Sequence, residues 1–434
     1  MLVNRPEIVS RVEGPTRYVV HGGHRLEGEV SIAGAKNSAL AIITAAALAD
    51  EGETVLDNVP QYLDIMNLCG ILNDLGARTE WLSPRTLKVD GRGLTHSRAP
   101  YQLARKLRGS TYVVGLLLAR LGEAEVALPG GCDIGSRPVD YHLKGFQSLG
   151  AESWVEHGAI HARARELTGT KIFIDRSSFG TTVNLMVAAS RARGTTVLEN
   201  AAQEPEIVDL ANFLTTLGVH VRGAGTKFVR IEGKTRIRGG HHEIIPDRLE
   251  AGTYLCAAAM TAGRVTVRNL IPEHLRTALL KLEEAGCRLT EGMDWVTLEA
   301  PGRLRAVDVQ TAPHPGFATD LQSPFVAAMS VADGVSVVQE TIFDNRFGYV
   351  NELLRLGANI KVDRDVAVIQ GVERLTGAPL EARDIRGGAS LVLAGLVSEG
   401  TTEVAGAENI GRGYQDLDGK LQALGADVEL VQGA

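Results

Sequence analysis

The chain repeats one pattern six times, and this repetition limits its fold more than any other feature of the sequence. In each copy an alanine- or leucine-rich run with helical spacing ends near a glycine, and a segment of alternating apolar residues follows. A second helical run ends near another glycine, often in the letters LGA, before a further alternating segment. The two marker glycines of each copy lie 23 to 28 residues apart; they are Gly52 and Gly76, Gly122 and Gly150, Gly194 and Gly218, Gly263 and Gly286, Gly334 and Gly357, and Gly400 and Gly425.

Each copy is predicted to be a helix–strand–helix–strand unit. A glycine after a helix is a C-cap signal, because the left-handed cap conformation costs glycine little, and alternation with period two indicates a half-buried strand. Successive copies begin about 70 residues apart, which is too long for an ordinary solenoid repeat. We therefore predict a globular α/β protein with two domains of three units each.

Composition and charge exclude several classes of function. Aromatic residues make up 5% of the 434 residues, which is too few for a base-stacking platform, and the net charge of −7 argues against general binding to nucleic acid or to anionic membranes. No stretch reaches the roughly 18 apolar residues of a membrane span. The polar start MLVNRPEIVSRVEG has no apolar signal region, so we expect a cytoplasmic protein with no membrane partner.

The four cysteines have neither CxxC nor metal-ligand spacing, and we predict no metal site and no cofactor. Cys69 and Cys256 lie in apolar helical runs and are predicted to be small core residues. Cys132 differs, since it lies in the polar, glycine-rich stretch LPGGCDIGSRPVDYH, which is the longest connection within any copy. An insertion on a repeated scaffold is commonly where function resides. A thiol near Arg137 in such a loop is expected to be more acidic than a free one; the alternative is an exposed thiol in a turn.

Two other polar stretches are given structural interpretations. In ENAAQEPEIVDLANF, Pro205 and Glu206 are predicted to begin a helix rather than to act in catalysis. His241 and His242 are adjacent and would lie on opposite faces of a strand, which does not suit a shared metal; we predict that both are surface residues.

Long and specific motifs make the chain resemble the UDP-N-acetylglucosamine 1-carboxyvinyltransferase family, within the EPSP synthase superfamily. The resemblance extends from about Val19 to Val431. The motifs are GAKNSAL, RKLRGS, LPGGCDIGSRPVD, ENAAQEPEIVDLANF, IIPDRLEAGTY, APHPGFATDLQ, DNRF, DIRGGASLVLAG and GRGY.

The resemblance implies a two-domain, inside-out α/β barrel built of six βαβαββ-like repeats, three per domain. Helices would pack inside each domain, sheets would face outward, and the active site would lie in the cleft between the domains. The implied first domain comprises residues 1–35 and 247–434. The implied second domain comprises residues 36–246 and carries the Cys132 loop, at about 128–142.

The resemblance also implies the reaction. The family transfers the enolpyruvyl group of phosphoenolpyruvate to the 3-hydroxyl of UDP-N-acetylglucosamine by addition and elimination, with release of phosphate, in the first committed step of peptidoglycan precursor synthesis. Cys132 matches the proton donor, which can form an adduct with phosphoenolpyruvate and is attacked by fosfomycin, so sensitivity to this drug is expected. No nucleic acid partner is implied.

Residue roles follow from the same resemblance. The implied catalytic residues are Cys132, Asp320, Lys36 and Arg412. Phosphoenolpyruvate would be bound by Lys36, Asn37, Arg137, Arg346, Arg386 and Arg412. UDP-N-acetylglucosamine would be bound by Arg108, Arg137, Pro138, Val139, Asp140, Tyr141, Arg176, Ser177, Ser178, Phe179, Asp320 and Ile342. The arginines suit these anionic substrates independently of any family, because guanidinium groups bind carboxylates and phosphates in bidentate geometry.

Several other functions remain open from the sequence. A paralogue could transfer enolpyruvate to another nucleotide or nucleotide-sugar, and a panel of acceptors would distinguish it. A non-catalytic nucleotide-sugar-binding regulator would bind without releasing phosphate. The shikimate-pathway relative fits the Cys132 insertion less well, and a thiol-redox protein would lack a partner cysteine.

Overall fold

A computed structural model describes residues 15–128 and 139–432 of the chain, and for Arg108 its backbone alone. Among these residues no helix is both long and apolar enough to cross a membrane. The α-helices are Lys36–Ala46, Leu63–Asp74, Tyr101–Ala104, Tyr112–Leu121, Asp140–Ser148, Phe179–Ala189, Pro205–Thr216, Arg248–Met260, Arg276–Glu284, Gln322–Met329, Val350–Arg355, Ile385–Leu396, Ala407–Ile410 and Leu417–Ala423. The 3-10 helices are Arg108–Thr111, Pro272–Leu275 and Thr319–Leu321.

The strands are short and numerous. They are β1 Thr16–His21, β2 Glu27–Ser31, β3 Thr54–Asp57, β4 Arg78–Ser83, β5 Thr86–Asp90, β6 Glu123–Ala127, β7 Glu152–Glu156, β8 Ala159–Arg163, β9 Lys171–Phe173, β10 Thr195–Glu199, β11 His220–Arg222, β12 Phe228–Glu232, β13 His241–Glu243, β14 Arg264–Arg268, β15 Arg288–Glu291, β16 Trp295–Glu299, β17 Val309–Gln310, β18 Val335–Gln339, β19 Asn359–Asp363, β20 Val366–Gln370, β21 Leu375–Thr376, β22 Pro379–Glu381, β23 Ser398–Glu399, β24 Thr401–Ala405 and β25 Asp427–Gln432.

One four-stranded sheet pattern recurs in five of the six copies. In the third copy β10 runs parallel to β9 and antiparallel to β12, and β12 pairs with β11 in turn. The same order appears as β13-β3-β5-β4, β15-β16-β14-β2, β17-β18-β20-β19 and β22-β24-β1-β25. The second copy has three strands, β6-β8-β7, and Arg98 forms a parallel bridge to Glu125 where the others have a fourth strand.

Strand β1 completes the last copy from the opposite end of the chain. It pairs antiparallel with both β24 and β25, in the position that the second hairpin strand has in the other copies. Strand β2 then joins the sheet of the fourth copy, parallel to β14, and β13 joins the sheet of the first copy, parallel to β3. The first two strands of the chain therefore belong with copies four to six, and they cover sheet edges that would otherwise be open.

The described residues form two compact units. One comprises residues 15–33 and 246–432, and the other comprises 34–128 and 139–245. Each unit has its own apolar core. Helices Arg248–Met260 and Gln322–Met329 are buried along their whole length, and Lys36–Ala46 is buried except at Asn37, because beyond their first turns these helices consist almost entirely of small and apolar residues. The strands instead alternate buried and exposed residues, so helices lie inside each unit and sheets face outward. The predicted α/β fold class is confirmed.

Eleven of the twelve marker glycines have a left-handed backbone, with φ between 74° and 110°. Gly263 is the exception, and the prediction of a left-handed cap is wrong there. Ala262 adopts the left-handed conformation instead, with φ of 50°. Glycine is needed at 263 for a different reason, since a Cβ atom would lie 2.5 Å from the carbonyl oxygen of Leu26.

Candidate functional site

Asp320 lies between two arginines in the unit of residues 15–33 and 246–432. Arg346 donates from Nη2 to Oδ1 at 2.9 Å, and Arg386 donates from Nε to Oδ2 at 3.3 Å. Both arginine side chains are buried, whereas the Asp320 side chain is 27% exposed. The structure thus brings three predicted site residues together as one group, with the carboxylate on its solvent side; we call it the Asp320 cluster.

Helix starts position two members of this cluster. Asp320 lies in the 3-10 helix Thr319–Leu321, which leads directly into a buried helix. Arg386 is the second residue of helix Ile385–Leu396, and the capping carboxylate of Asp384 accepts from the amides of Arg386 and Gly387 at 3.0 and 2.9 Å. A helix N-terminus and a buried guanidinium both favour a bound anion, so this location suits an anionic ligand.

Tyr414 holds the Arg386 side chain from the other side. The guanidinium carbon lies 5.0 Å from the Tyr414 ring centroid, which is a cation–π contact. The Tyr414 hydroxyl lies 2.8 Å from Oγ1 of Thr253. Nη1 of Arg386 is buried and has no hydrogen-bond partner among the described residues. A buried donor in this state is costly, and the oxygen of an anionic ligand would satisfy it. Arg412 is half-buried, two residues before Tyr414.

Lys36 lies in the other unit and has a carboxylate partner that the sequence analysis missed. Its ammonium group is 2.7 Å from Oδ2 of Asp64, and both side chains are buried. Lys36 is the first residue of its helix, and Asp64 lies in the first turn of helix Leu63–Asp74. Asn37, the neighbouring predicted ligand, is half-buried. Two helix starts therefore meet around one buried cation.

Asp209 is the centre of a second polar network in this unit. The Ser38 hydroxyl donates to its Oδ2, Nε2 of His242 lies 2.8 Å from Oδ1, and the Ile245 amide donates at 3.3 Å. The prediction that His242 is a surface residue is wrong, since its side chain is 13% exposed and packs on Phe213. Successive side chains of a strand point to opposite faces, so His242 points towards the core while His241 and Glu243 are exposed.

The prediction that His241, the neighbouring residue of the same strand, lies at the surface is confirmed. The side chain of His241 is 66% exposed, and it pairs with Asp57 at 2.6 Å. The helix predicted to begin at Pro205 and Glu206 is also confirmed, as Pro205–Thr216. Glu206 and Asp209 are buried within this helix.

The segments predicted to bind a nucleotide-sugar meet at the starts of two packed helices. Val139, Asp140 and Tyr141 lie at the start of helix Asp140–Ser148, and Val139 and Tyr141 are half-buried. Ser178 caps helix Phe179–Ala189 by accepting from the Thr181 amide at 3.3 Å. The other described positions, apart from Asp320, are Arg176, which is exposed, Ser177 and Phe179, which are half-buried, Ile342, which is half-buried and lies in the other unit, and Arg108, whose backbone begins the 3-10 helix Arg108–Thr111.

His142 and Asn184 connect these two helices. Asn184 donates from Nδ2 to Nδ1 of His142 at 2.9 Å and to the Thr111 carbonyl at 2.8 Å, while its Oδ1 accepts from the Gly115 amide at 2.8 Å. Burial lowers the pKa of His142 to about 4, so the imidazole is neutral. Because Nδ1 accepts, the ring proton lies on Nε2.

The described cysteines are unsuited to nucleophilic chemistry. Cys69 and Cys256 are buried, as predicted, and Cys287 is buried as well. Burial raises the pKa of each of these thiols to about 12. Cys132, Arg137 and Pro138 lie outside the described residues. Within the described part of the chain, no group of three or more His, Cys, Asp or Glu side chains could hold a metal ion.

Comparison with known proteins identifies the family. A family model described as EPSP synthase (3-phosphoshikimate 1-carboxyvinyltransferase) matches residues 20–421. UDP-N-acetylglucosamine 1-carboxyvinyltransferase 2 of Symbiobacterium thermophilum is 61% identical over 415 residues, which are 96% of this chain and 98% of the relative. The chain belongs to the UDP-N-acetylglucosamine 1-carboxyvinyltransferase family. The family member of Halothermothrix orenii is 48% identical over 416 residues, covering 96% of this chain and all of the relative.

Two solved structures have the same fold as this chain. The enolpyruvyl transferase NikO from Streptomyces tendae superposes with a TM-score of 0.87 at 26% identity, covering 97% of this chain and all of the other. An EPSP synthase from Acinetobacter baumannii superposes with a TM-score of 0.76 at 18% identity, covering 96% of this chain and all of the other. At that identity the second likeness concerns the fold alone.

Proposed function

We propose that this protein transfers the enolpyruvyl group of phosphoenolpyruvate to the 3-hydroxyl of UDP-N-acetylglucosamine and releases phosphate. The observation that carries the proposal is the Asp320 cluster, in which an accessible carboxylate is held by two buried arginines. The reaction needs a proton acceptor beside several cations, because an alcohol must lose its proton next to a substrate bearing a carboxylate and a phosphate. The 61% identity to the Symbiobacterium relative supports the choice of acceptor.

The reaction proceeds by addition and elimination. A proton is added to C3 of phosphoenolpyruvate, the sugar 3-oxygen forms a bond to C2, and the hydroxyl proton passes to a base. The tetrahedral intermediate then loses phosphate from C2 and a proton from C3, which restores the double bond as an enol ether. We assign the base to Asp320 and the C3 proton donor to Cys132. Lys36, Arg346, Arg386 and Arg412 stabilise the negative charge of the carboxylate and phosphate.

Substrate binding also frees the base in this mechanism. In the structure, Asp320 accepts hydrogen bonds from Arg346 and Arg386. The carboxylate of phosphoenolpyruvate competes for the same guanidinium donors, because these are bidentate anion-binding groups. Once the donors turn to the substrate, Asp320 is available to accept the proton of the sugar hydroxyl. The remaining acceptor contacts are assigned to the two helix starts around Asp140 and Ser178, and to Ile342.

We further propose that Cys132 is alkylated by fosfomycin and that the protein acts in the cytoplasm, supplying peptidoglycan precursors. The expected chemistry is attack of the thiolate on the epoxide carbon, which opens the ring and leaves a thioether. Cys132→Ala would remove both the drug target and the C3 proton donor. Cys132→Asp keeps an acidic group, so it is expected to retain turnover and to resist the drug.

The test combines two readouts in one reaction. Purified protein is incubated with phosphoenolpyruvate and UDP-N-acetylglucosamine, phosphate release is followed, and the product mass is measured, with Asp320→Asn and a fosfomycin-treated sample as controls. The expected result is one phosphate per product heavier by one enolpyruvyl unit, with Asp320→Asn slowed by at least about 100-fold. Turnover only with another nucleotide or nucleotide-sugar would overturn the acceptor, and tight acceptor binding without phosphate release would indicate a regulator.

A further inference from the structure

Glu340 completes a ring of contacts that begins and ends at the proposed base. Thr319, the residue before Asp320, donates its hydroxyl to Oε2 of Glu340 at 2.9 Å. Oε1 of Glu340 accepts from the Phe343 amide at 3.2 Å, the Phe343 ring lies 5.3 Å from the Arg346 guanidinium, and Arg346 binds Asp320. We call these five residues the Glu340 ring.

The same carboxylate supports the turn that holds Ile342. Oε1 of Glu340 also accepts from the Ile342 amide at 2.8 Å, so a single oxygen holds two successive amides of the turn. Glu340 is 2% exposed. In a buried position each of these hydrogen bonds is protected from competition with water, and the carboxylate makes them stronger than bonds to a neutral acceptor. The turn at Ile342 and the 3-10 helix Thr319–Leu321, which carries Asp320, are therefore both held by the Glu340 carboxylate.

The turn has a second anchor that does not involve Glu340. The Thr341 amide donates to Oγ1 of Thr311 at 2.9 Å, and the Thr341 hydroxyl donates to the Thr311 carbonyl at 2.6 Å. The backbone amide of Glu340 is itself held by the Asp365 carbonyl at 2.8 Å. Loss of the Glu340 carboxylate would thus leave the turn attached to its sheet, while releasing the Asp320 side of the ring.

We infer that Glu340 is a positioning residue that couples the acceptor contact at Ile342 to the orientation of Asp320. The inference rests on the proposed function, because it assumes that Asp320 takes the proton of the sugar hydroxyl and that Ile342 contacts the acceptor. Glu340 touches no reacting atom. It acts through Thr319 on one side and through the Ile342 and Phe343 amides on the other, so acceptor binding at the turn stabilises the position of the base.

Single substitutions separate the two arms of this coupling, which are the bond from Thr319 to Glu340 on the base side and the bonds from the Ile342 and Phe343 amides on the acceptor side. Thr319→Val removes the base-side bond alone, and we expect kcat to fall about 10-fold with little change in the KM for the acceptor. Glu340→Ala removes both arms, and we expect kcat to fall about 10- to 100-fold and the acceptor KM to rise, while the KM for phosphoenolpyruvate stays within about 3-fold. These magnitudes reflect the sensitivity of rate to a misplacement of about 1 Å.

Conservative variants and a matched control distinguish positioning from general stability. Thr319→Ser keeps the hydroxyl and Glu340→Gln keeps an acceptor for the two amides, so each is expected to recover kcat to within about 3-fold of the unsubstituted enzyme. Asp308→Asn weakens the bond that the Val337 amide donates to Oδ1 of Asp308, an exposed carboxylate in the same unit, and should leave kcat unchanged. The double variant of Thr319→Val and Glu340→Ala should be no slower than Glu340→Ala, because both interrupt one path.

The outcomes separate this inference from the proposed function. If the unsubstituted enzyme does not turn over UDP-N-acetylglucosamine, the proposed function fails. If the unsubstituted enzyme does turn over this acceptor, but folded Thr319→Val and Glu340→Ala have the same kcat and acceptor KM as the unsubstituted enzyme, the inference is overturned. Additive losses in the double variant would also overturn it. Should Glu340→Ala fail to fold, the comparison of Thr319→Val with Thr319→Ser remains as a test. Equal kcat values for these two variants would refute the role of the hydrogen bond between Thr319 and Glu340 in placing the base.

Discussion

Removing the carboxylate partner of Lys36 should destabilise its unit strongly. The ammonium and Oδ2 of Asp64 are 2.7 Å apart, and the two side chains are 9% and 2% exposed, so solvent screens the pair little. Breaking a buried ion pair at one end typically costs about 3–5 kcal/mol, because a charge remains in a low-dielectric site. We expect Asp64→Ala to lower the free energy of unfolding by this amount. Replacing both partners by apolar residues is often close to neutral, so adding Lys36→Met should restore most of it.

Tryptophan fluorescence can report the unfolding of this unit alone. Trp81 and Trp154 lie in the unit with Lys36 and Asp64, whereas Trp295 lies in the other. In a Trp295→Phe background, urea unfolding of Asp64→Ala should show a midpoint lower by on the order of 1–2 M, taking about 3–5 kcal/mol and a slope of about 2–3 kcal/mol/M. Asp64→Asn should lose less, since its amide oxygen still accepts a hydrogen bond.

Two results would refute the reasoning. A loss below about 1 kcal/mol would mean that the pair is screened as a surface pair is. A double variant no more stable than Asp64→Ala would mean that the cost comes from lost packing rather than from the buried charge.

Three further predictions concern stability and binding. The pKa of His142 is lowered to about 4 in the folded protein against 6.5 in a free side chain, so the unfolded state takes up the proton first as the pH falls. The contribution of His142 to the free energy of unfolding should therefore be complete above pH 6.5 and fall by about 3 kcal/mol towards pH 4, as measured by urea unfolding against pH. Gly115→Ala would place a Cβ atom 2.4 Å from Oδ1 and 2.5 Å from the carbonyl oxygen of Asn184, and should cost about 1–3 kcal/mol in chemical denaturation. Tyr414→Leu removes the ring 5.0 Å from the Arg386 guanidinium and should raise the KM for phosphoenolpyruvate about 10-fold in steady-state kinetics.

Each of these has a matched control. His142→Gln has no titrating ring and should flatten the loss of stability between pH 6.5 and 4; an unchanged slope would contradict the assignment. Gly302→Ala meets no atom within 4 Å and should be neutral, so an equal loss at both glycines would rule out the steric reason. Tyr414→Phe keeps the ring and should stay within about 3-fold of the original KM; a loss as large as for Tyr414→Leu would instead implicate the hydroxyl.

Much of the fold was predictable because its signals are local. Apolar periodicity and left-handed glycines act within a few residues, and they predicted a helix and strand pattern that recurs in six copies. Gly263 shows the limit of this reasoning, since the residue is required by the approach of Leu26 from a distant part of the chain. The pairing of β1 with β24 and β25 was likewise outside the reach of local pattern, because the two ends of the chain supply one sheet.

The candidate site was predictable in part, and its assigned roles remain predictions. The family motifs pointed to Asp320, Arg346 and Arg386, which the structure places in one cluster. They gave no sign of Asp64, Glu340 or the inward position of His242. A carboxylate that supports another side chain has no sequence signature of its own, since its role depends on which residue lies opposite after folding.

The sequence by itself determined the repeated α/β architecture, the buried character of the central helices and the types of charged residue available for an anionic site. These properties depend on backbone preferences and on side-chain hydropathy, which each residue carries with it. Only the tertiary structure decided which charges meet. Asp320 binds arginines that lie 26 and 66 residues away along the chain. Glu340 accepts a hydrogen bond from Thr319, which lies 21 residues before it. The contacts of Arg346 and Glu340 form within the fifth copy of the repeat, and the contact of Arg386 joins the fifth copy to the sixth. Packing around one core sets these distances, and the order of residues does not.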